Sequence, residues 1–400
     1  MKARFAVNGD LSCVLLEGRV VSLRLDSGRI AEITPGTGRA RAVVLPLPVE
    51  PHVHLDKSFT SGRTQARKPG LFGAIEAMEE DKAHWTETDL RDRIERGMQE
   101  AWASGVRAMR SHVDWSGSDA PLAWEVMGDV AARWADRLPL QRASLTALDE
   151  LDDPARARAI AARVARDGGI FGAFLYRHGD EEARLNLIFD LAEQYDLLLD
   201  FHVDEGLDPE ARAFDQIVAE TARRGMAGRV LCGHACSLSI RAADDLKRAA
   251  DAAAEAGVAL TIQPTANLYL QDMEFGRTPR RRGLAPAQEL RAAGVDVMLG
   301  TDNVADPFIP FGVYDPVETL RLAWITGQMP PSDWLDAISA TPARALGLPP
   351  ARLVAGEPAD FLLIPGDSLE VALRAPRPAR SVFRSGLVMS GERVKDDCNA

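Results

Sequence analysis

The sequence predicts an α/β protein: a (β/α)8 TIM barrel with a small β-sandwich domain formed by both chain ends. Two observations carry this expectation. Through the middle of the chain, eight short apolar runs alternate with long Ala-, Arg- and Glu-rich stretches, which is strand followed by helix repeated eight times. Both ends instead carry short segments that alternate apolar and polar residues, as half-buried antiparallel strands do. A doubly wound open sheet is the rival arrangement, but no glycine-rich dinucleotide loop supports it.

Taken in order, Val14–Val21 and Gly28–Ile33 read as the N-terminal strands of the small domain. Val43–Leu47 follows as the first barrel strand. The next seven are expected at Val106–Val113, Leu140–Thr146, Gly172–Tyr176, Leu197–His202, Arg229–His234, Val258–Ile262 and Val295–Gly300. Helical stretches lie between them, among them Glu87–Ala103, Glu181–Tyr195 and Pro209–Arg224. Asp360–Ile364 and Ser381–Gly386 return to the strand texture of the start. The expected division is therefore 1–45 and 351–400 for the small domain and 46–350 for the barrel.

The chain has 400 residues, enough for a large core, and a formal net charge of −12. That balance argues against nucleic-acid binding, because no basic excess meets phosphates. No apolar run reaches about 18 residues and no signal peptide is evident, so neither a membrane span nor export is expected and the location read is cytoplasmic. The cysteines, Cys13, Cys232, Cys236 and Cys398, are too scattered for a disulfide framework.

In a barrel of this kind, residues at strand C-terminal ends converge on one mouth. His52 and His54 stand at the exit of the first strand, and residues i and i+2 of extended chain share a face. Two neutral imidazoles on one face can grip a metal ion. His202 ends the fifth strand and His234 the sixth, while Asp302 follows the eighth in Gly300-Thr301-Asp302-Asn303. Glu205 lies three residues past His202. His112 ends the second strand, and Lys57, Asn303 and Phe308 follow metal-ligand candidates closely; these four are the candidate substrate contacts. Ser58–Gly73 is expected to loop over the mouth, with Phe59, Leu71 and Phe72 as further lining candidates. Tyr176, Arg177, His178, Gln263, Asn267 and Arg280–Arg282 are unranked residues near the same end.

This set resembles the amidohydrolase superfamily. Glu50-Pro51-His52-Val53-His54-Leu55-Asp56, Ser111-His112-Val113-Asp114, His202-Val203-Asp204-Glu205 and Asp302-Asn303-Val304-Ala305-Asp306-Pro307-Phe308 are similar to its cytosine deaminase branch. The resemblance implies that His52, His54, His202 and Asp302 bind one divalent metal ion, Zn2+ or Fe2+, which makes hydroxide from water near neutral pH. It implies that Asp302 also takes the water's proton, that His234 stabilises developing charge and that Glu205 shuttles protons to the ring and to the departing amine. The implied reaction is hydrolytic deamination of a small nitrogen heterocycle, a cytosine-like aminopyrimidine or cyclic amidine. Two departures bear on substrate. Asn303 stands where cytosine deaminases carry a second aspartate, and Ser144–Leu148 offers no glutamine after the third strand. Asp302-Asn303 and His54–Lys57 also resemble triazine enzymes of the N-isopropylammelide amidohydrolase type, so removal of an N-alkylamino group and opening of a cyclic amide stay open. So does a catalytically silent barrel acting as a binding protein, although the complete ligand set speaks against it. The resemblance allows a homo-oligomer.

Overall fold

The computed structural model describes residues 8–176 and 181–390. They fall into two compact units. In the first, β1 (Gly9–Leu16), β2 (Arg19–Asp26) and β3 (Arg29–Pro35) form an antiparallel meander, and β4 (Ala42–Pro46) runs parallel to β1.

The second unit spans Glu50–Met98 and Ala108–Tyr314. Its sheet is eight-stranded and parallel, in sequence order: β5 (Val49–Val53), β6 (Ala108–Asp114), β7 (Leu140–Ala147), β8 (Phe171–Leu175), β9 (Leu199–Val203), β10 (Val230–His234), β11 (Ala259–Ile262) and β12 (Val297–Leu299). Helices separate the strands, including Glu87–Ser104, Leu122–Trp134, Pro154–Arg166, Glu181–Tyr195, Ala213–Arg224 and Ala243–Ala256. This is the nearly closed (β/α)8 barrel that the alternation predicts. Its two ends approach just beyond β12, where Val53 and Asp302 form a parallel bridge and the Asp302 amide donates to the His52 carbonyl at 2.9 Å. Strands β5, β9 and β10 are buried at every position, as expected where both faces are covered.

The chain then returns to the first unit's sheet through β13 (Phe361–Pro365), β14 (Ser381–Arg384) and β15 (Leu387–Ser390), giving the order β15-β14-β13-β4-β1-β2-β3. β13 pairs antiparallel with β4, so both chain ends build one continuous mixed sheet. Its core includes Leu23, Leu25, Ile30, Val44, Phe361 and Phe383.

One element is reassigned. The run Val43–Leu47 belongs to this mixed sheet as β4, and the first barrel strand is Val49–Val53. Pro48 and Pro51 punctuate that strand, and proline ordinarily demotes a strand reading. Here Pro51 sits in the strand at the barrel's seam. Among the described residues, no helix is long and apolar enough to cross a membrane.

Candidate active site

The residues at the C-terminal ends of the barrel strands do meet. His52 lies inside β5 and His54 just after it; both are buried. His54 Nε2 stands 3.0 Å from His202 Nε2 and 3.3 Å from Asp302 Oδ1, while His52 Nε2 is 3.6 Å from the same oxygen. Ligand atoms placed tetrahedrally around a zinc ion at 2.0–2.1 Å would lie about 3.3 Å apart. The ring nitrogens of His52 and both Asp302 carboxylate oxygens are buried without a hydrogen-bond partner. Such groups are costly unless something satisfies them. Burial, reinforced by neighbouring imidazoles, holds His52 and His202 well below the usual histidine range, and burial with Lys57 does the same to His54. All three are therefore neutral lone-pair donors, the form a metal binds. The donor set fits a divalent cation.

Two glycines make room for this arrangement. A Cβ on Gly233 in β10 would come within 2.8 Å of His52 Cε1, and one on Gly300 within 2.9 Å of His52 Cβ. The His52 side chain is wedged between these two strand ends. Left-handed backbone gathers here too: Asp204, His234, Ala235 and Asp302 have φ of 48°, 70°, 48° and 69°. Non-glycine residues in this region cost roughly 1–3 kcal/mol each and concentrate at functional sites.

His234 and Glu205 complete the constellation. The Asn267 amide nitrogen lies 3.0 Å from His234 Nδ1, and Gln263 Oε1 accepts from the His234 backbone amide at 3.0 Å. With Asn267 donating to Nδ1, the imidazole proton sits on Nε2, which has no protein partner. Burial, then His112, pushes His234 down to about 3 and keeps it neutral. Glu205 is buried, its Oε1 3.4 Å from His234 Nδ1. Burial, with Asp302 adding to it, raises the Glu205 carboxyl well above the usual range. Asp302 is raised as well, by burial and by Asp306. Asp204, next to Glu205, takes the backbone amides of Ala213 and Phe214 on its carboxylate and so anchors the segment to the following helix.

A cavity of about 700 Å3, open to solvent, contains His54, His202, Glu205, His234 and Asp302 in its lining. Its apolar lining comes from Leu71, Ile75, Met78, Trp115, Leu145, Phe174 and Phe308. Lys57 and Asn303 face it, as do Glu79, Lys82, Asp114 and Ser116. The Asn303 amide nitrogen donates to Asp306 at 2.6 Å, leaving its carbonyl oxygen as the acceptor.

The other candidates sort differently. His112 packs into the histidine cluster, 4.2 Å from the His52 ring, and meets Asp200 at 3.2 Å instead of lining the cavity. Arg110, also buried, pairs with Asp200 at 2.8 Å. Residues 70–73 of the expected loop open the helix Gly70–Lys82; within it Leu71 reaches the cavity, while Phe72 is exposed and stacks on Tyr176. Phe59 lies under Arg96. Arg281 and Arg282 line a separate surface pocket, and Arg177 and His178 lie outside the described residues. Cys232 and Cys236 are buried thiols that burial pushes well above the usual range, which makes them inert.

Asp114 and Lys82 are among the cavity residues that sequence reasoning did not single out, as are Ile75, Met78, Glu79, Trp115, Ser116 and Phe174. Asp114 was within reach, since it stands two residues past His112 and shares its face of β6. Lys82 ends a helix and carries no sequence signal.

Comparison with known proteins identifies the family and the fold. The sequence matches the amidohydrolase family over residues 71–394. It is 33% identical over 375 residues to a pterin deaminase of Rhizobium rhizogenes, covering 90% of this chain and 86% of the relative. It is 24% identical to N-isopropylammelide isopropyl amidohydrolase of a Pseudomonas species, over 87% and 85% of the two chains. The crystal structure of 5-methylcytosine deaminase from Klebsiella pneumoniae liganded with phosphonocytosine superposes with a TM-score of 0.82 at 26% identity, covering 96% of this chain and 98% of that one. With a family match over most of its length and a relative 33% identical across 90% of it, this chain belongs to the amidohydrolase family.

Proposed function

We propose that this protein is a deaminase of an amino-substituted nitrogen heterocycle, of the kind its pterin- and 5-methylcytosine-deaminating relatives act on, with one divalent metal ion, zinc or iron(II), held by His52, His54, His202 and Asp302. The observation that carries the reading is the buried, unpartnered donor set of His52 and Asp302 beside a Glu205 whose carboxyl burial raises well above the usual range. A bound divalent ion supplies Lewis acidity for the activation of water.

The chain's own residues supply the rest. Asp302, beside the site of attack, accepts a proton from the attacking water. The Glu205 proton goes to the ring nitrogen beside the attacked carbon, so negative charge does not build there. His234, with its proton on Nε2, donates to the oxygen that becomes bonded to the ring carbon. Glu205 then relays the proton held by Asp302 to the amine, the carbon–nitrogen bond breaks and ammonia leaves, and the proton of the new hydroxyl returns to Glu205 as the ring carbon keeps the oxygen as a carbonyl. Leu71, Ile75, Met78 and Phe308 exclude bulk water and cover the flat faces of a ring.

Glu205→Gln tests this. The substitution preserves shape and removes the proton donor. Turnover, followed as ammonia release from pterin, cytosine, 5-methylcytosine and aminotriazines with alkylamine release in parallel, is expected to fall by about 10²- to 10⁴-fold while metal content stays at the wild-type level. Near wild-type turnover in this variant overturns the assignment.

A further inference from the structure

A second polar cluster lines the same cavity and takes no part in the attack of water. Asp114, the last residue of β6, receives Lys57 Nζ on Oδ1 at 2.8 Å and Lys82 Nζ on Oδ2 at 2.9 Å. Lys82 also donates to Glu79, one turn back on the helix Gly70–Lys82. Lys57 sits over the Phe308 ring, 5.0 Å from its centroid. The side chains of Lys57, Asp114 and Lys82 are 6%, 18% and 22% exposed. They are buried enough for their pairing to survive salt and open enough to meet a ligand. Burial alone would lift Asp114, but the two ammonium groups outweigh it and hold the carboxylate ionised throughout the working pH range.

Two lysines on one carboxylate are more than a structural ion pair requires. Each ammonium has three donors. Lys57 gives one to Asp114, and Lys82 gives one to Asp114 and one to Glu79, so each retains donors. Asp114 holds both nitrogens at set positions, which lowers the ordering cost when a ligand accepts from them. The cavity thus pairs a reacting end, Glu205 and Asp302, with a donor end mounted on Asp114.

We propose that Lys82 and Lys57, spaced by Asp114, read the substrate, selecting rings that carry an oxygen acceptor on an edge other than the one that loses its amine. The inference rests on the heterocycle-deaminase reading above. Lys57 and Lys82 touch the ligand, and Asp114 is a positioning residue. The oxygen is that of a ring carbonyl or of an attached carboxylate.

The test measures binding in Glu205→Gln protein loaded with zinc, where rings are held without being consumed. The ligands are pterin, 2-aminopteridine (the same ring without the carbonyl oxygen) and pterin-6-carboxylate. Pterin is expected to bind about 10- to 100-fold more tightly than 2-aminopteridine, the contribution of hydrogen bonds from a charged donor. Adding Lys82→Met should shrink that ratio to within about threefold while leaving 2-aminopteridine binding unchanged, and Lys82→Arg should restore part of it. Asp114→Asn should weaken pterin selectively in the same way. A preference that appears only with pterin-6-carboxylate assigns the lysines to a carboxylate. Equal binding of all three rings, binding of none, or an equal loss for all of them in Lys82→Met overturns the proposal. Ammonia release by the wild-type enzyme is scored separately. Discrimination among rings without ammonia release leaves the lysine reading standing and removes the deaminase reading instead.

Discussion

Adding one methyl group at Gly233 tests whether His52 is a metal ligand. In Gly233→Ala the new Cβ would stand 2.8 Å from His52 Cε1, 3.1 Å from its Nδ1 and 3.3 Å from Gln263 Nε2. Non-bonded carbons pack at about 3.5–4.0 Å, so the ring must retreat by roughly 0.7 Å. It has little room, because the base of the side chain is closely set against Gly300, where even an added Cβ would come within 2.9 Å of His52 Cβ. Overpacking of this size costs about 1–3 kcal/mol. Gly233 does not use left-handed backbone, so alanine returns about 0.4–1 kcal/mol through the unfolded chain. The net loss of fold stability is therefore between about 0 and 2.6 kcal/mol. Metal geometry is far less forgiving, since ligand distances hold within about 0.2 Å. Even perturbing a group that merely supports a ligand weakens metal affinity about 10- to 100-fold. Gly233→Ala is expected to lose at least that much zinc affinity, measured by competition with a chromogenic chelator, while thermal melting of the metal-free protein moves little. Wild-type zinc affinity in a folded Gly233→Ala protein would refute His52 as a ligand.

Two further outcomes test the barrel beneath the site. Asp200→Asn removes the buried partner of Arg110 and His112, and an Arg110 charge left incompletely paired inside the barrel should cost about 3–5 kcal/mol in urea unfolding at unchanged slope; a loss under 1 kcal/mol would mean that Gln141, which Arg110 also bonds, suffices. Asp167 titrates at about 2: burial pushes it up, but donors from Trp124, Arg163 and Arg166 outweigh that. Its folded pKa is depressed, so its stabilisation is complete above the unfolded value near 4 and disappears as the pH falls through about 2. The full linkage, about 2.4 kcal/mol, shrinks to roughly 1 kcal/mol after solvent screening. Asp167→Asn should therefore be less stable than wild type by about that much at pH 7, with the difference shrinking as the pH falls from about 4 and vanishing below about pH 2, and a constant difference in denaturant midpoint across that range would contradict the assignment.

The barrel was legible because its signal is periodic and repeated. Seven of its strands fall within a few residues of where apolar runs stand, and the helices Glu87–Ser104 and Glu181–Tyr195 match their predicted stretches closely. The first strand was displaced because Val43–Leu47 is the more apolar run, whereas Val49–Val53 contains Pro51 and two ligand-type side chains. Which of two neighbouring runs joins which sheet is decided by pairing with β13, over 300 residues away, and local pattern holds no trace of it. In the site, His52, His54, His202, His234 and Asp302 could be named because strand ends converge in a barrel. The coupling of Lys57 to Lys82 through Asp114 could not, since it depends on where a helix C-terminus lands over the mouth. Nor could the tautomer of His234, which Asn267 sets from the short helix Pro264–Leu270 that follows the neighbouring strand.

The seam of the barrel has a consequence for how the protein is made. The Asp302 amide bonds the His52 carbonyl, and the Thr301 amide bonds Glu50 across 251 residues of sequence. The same two segments bring His52, His54 and Asp302 together. During synthesis the first two histidines leave the ribosome long before the aspartate, and until the last strand arrives they form an incomplete, weak site. On the proposed ligand assignment, metal capture is the final entry in the order of assembly: a nascent chain stalled before residue 302 should exchange an added ion freely, while one released past the seam should keep it.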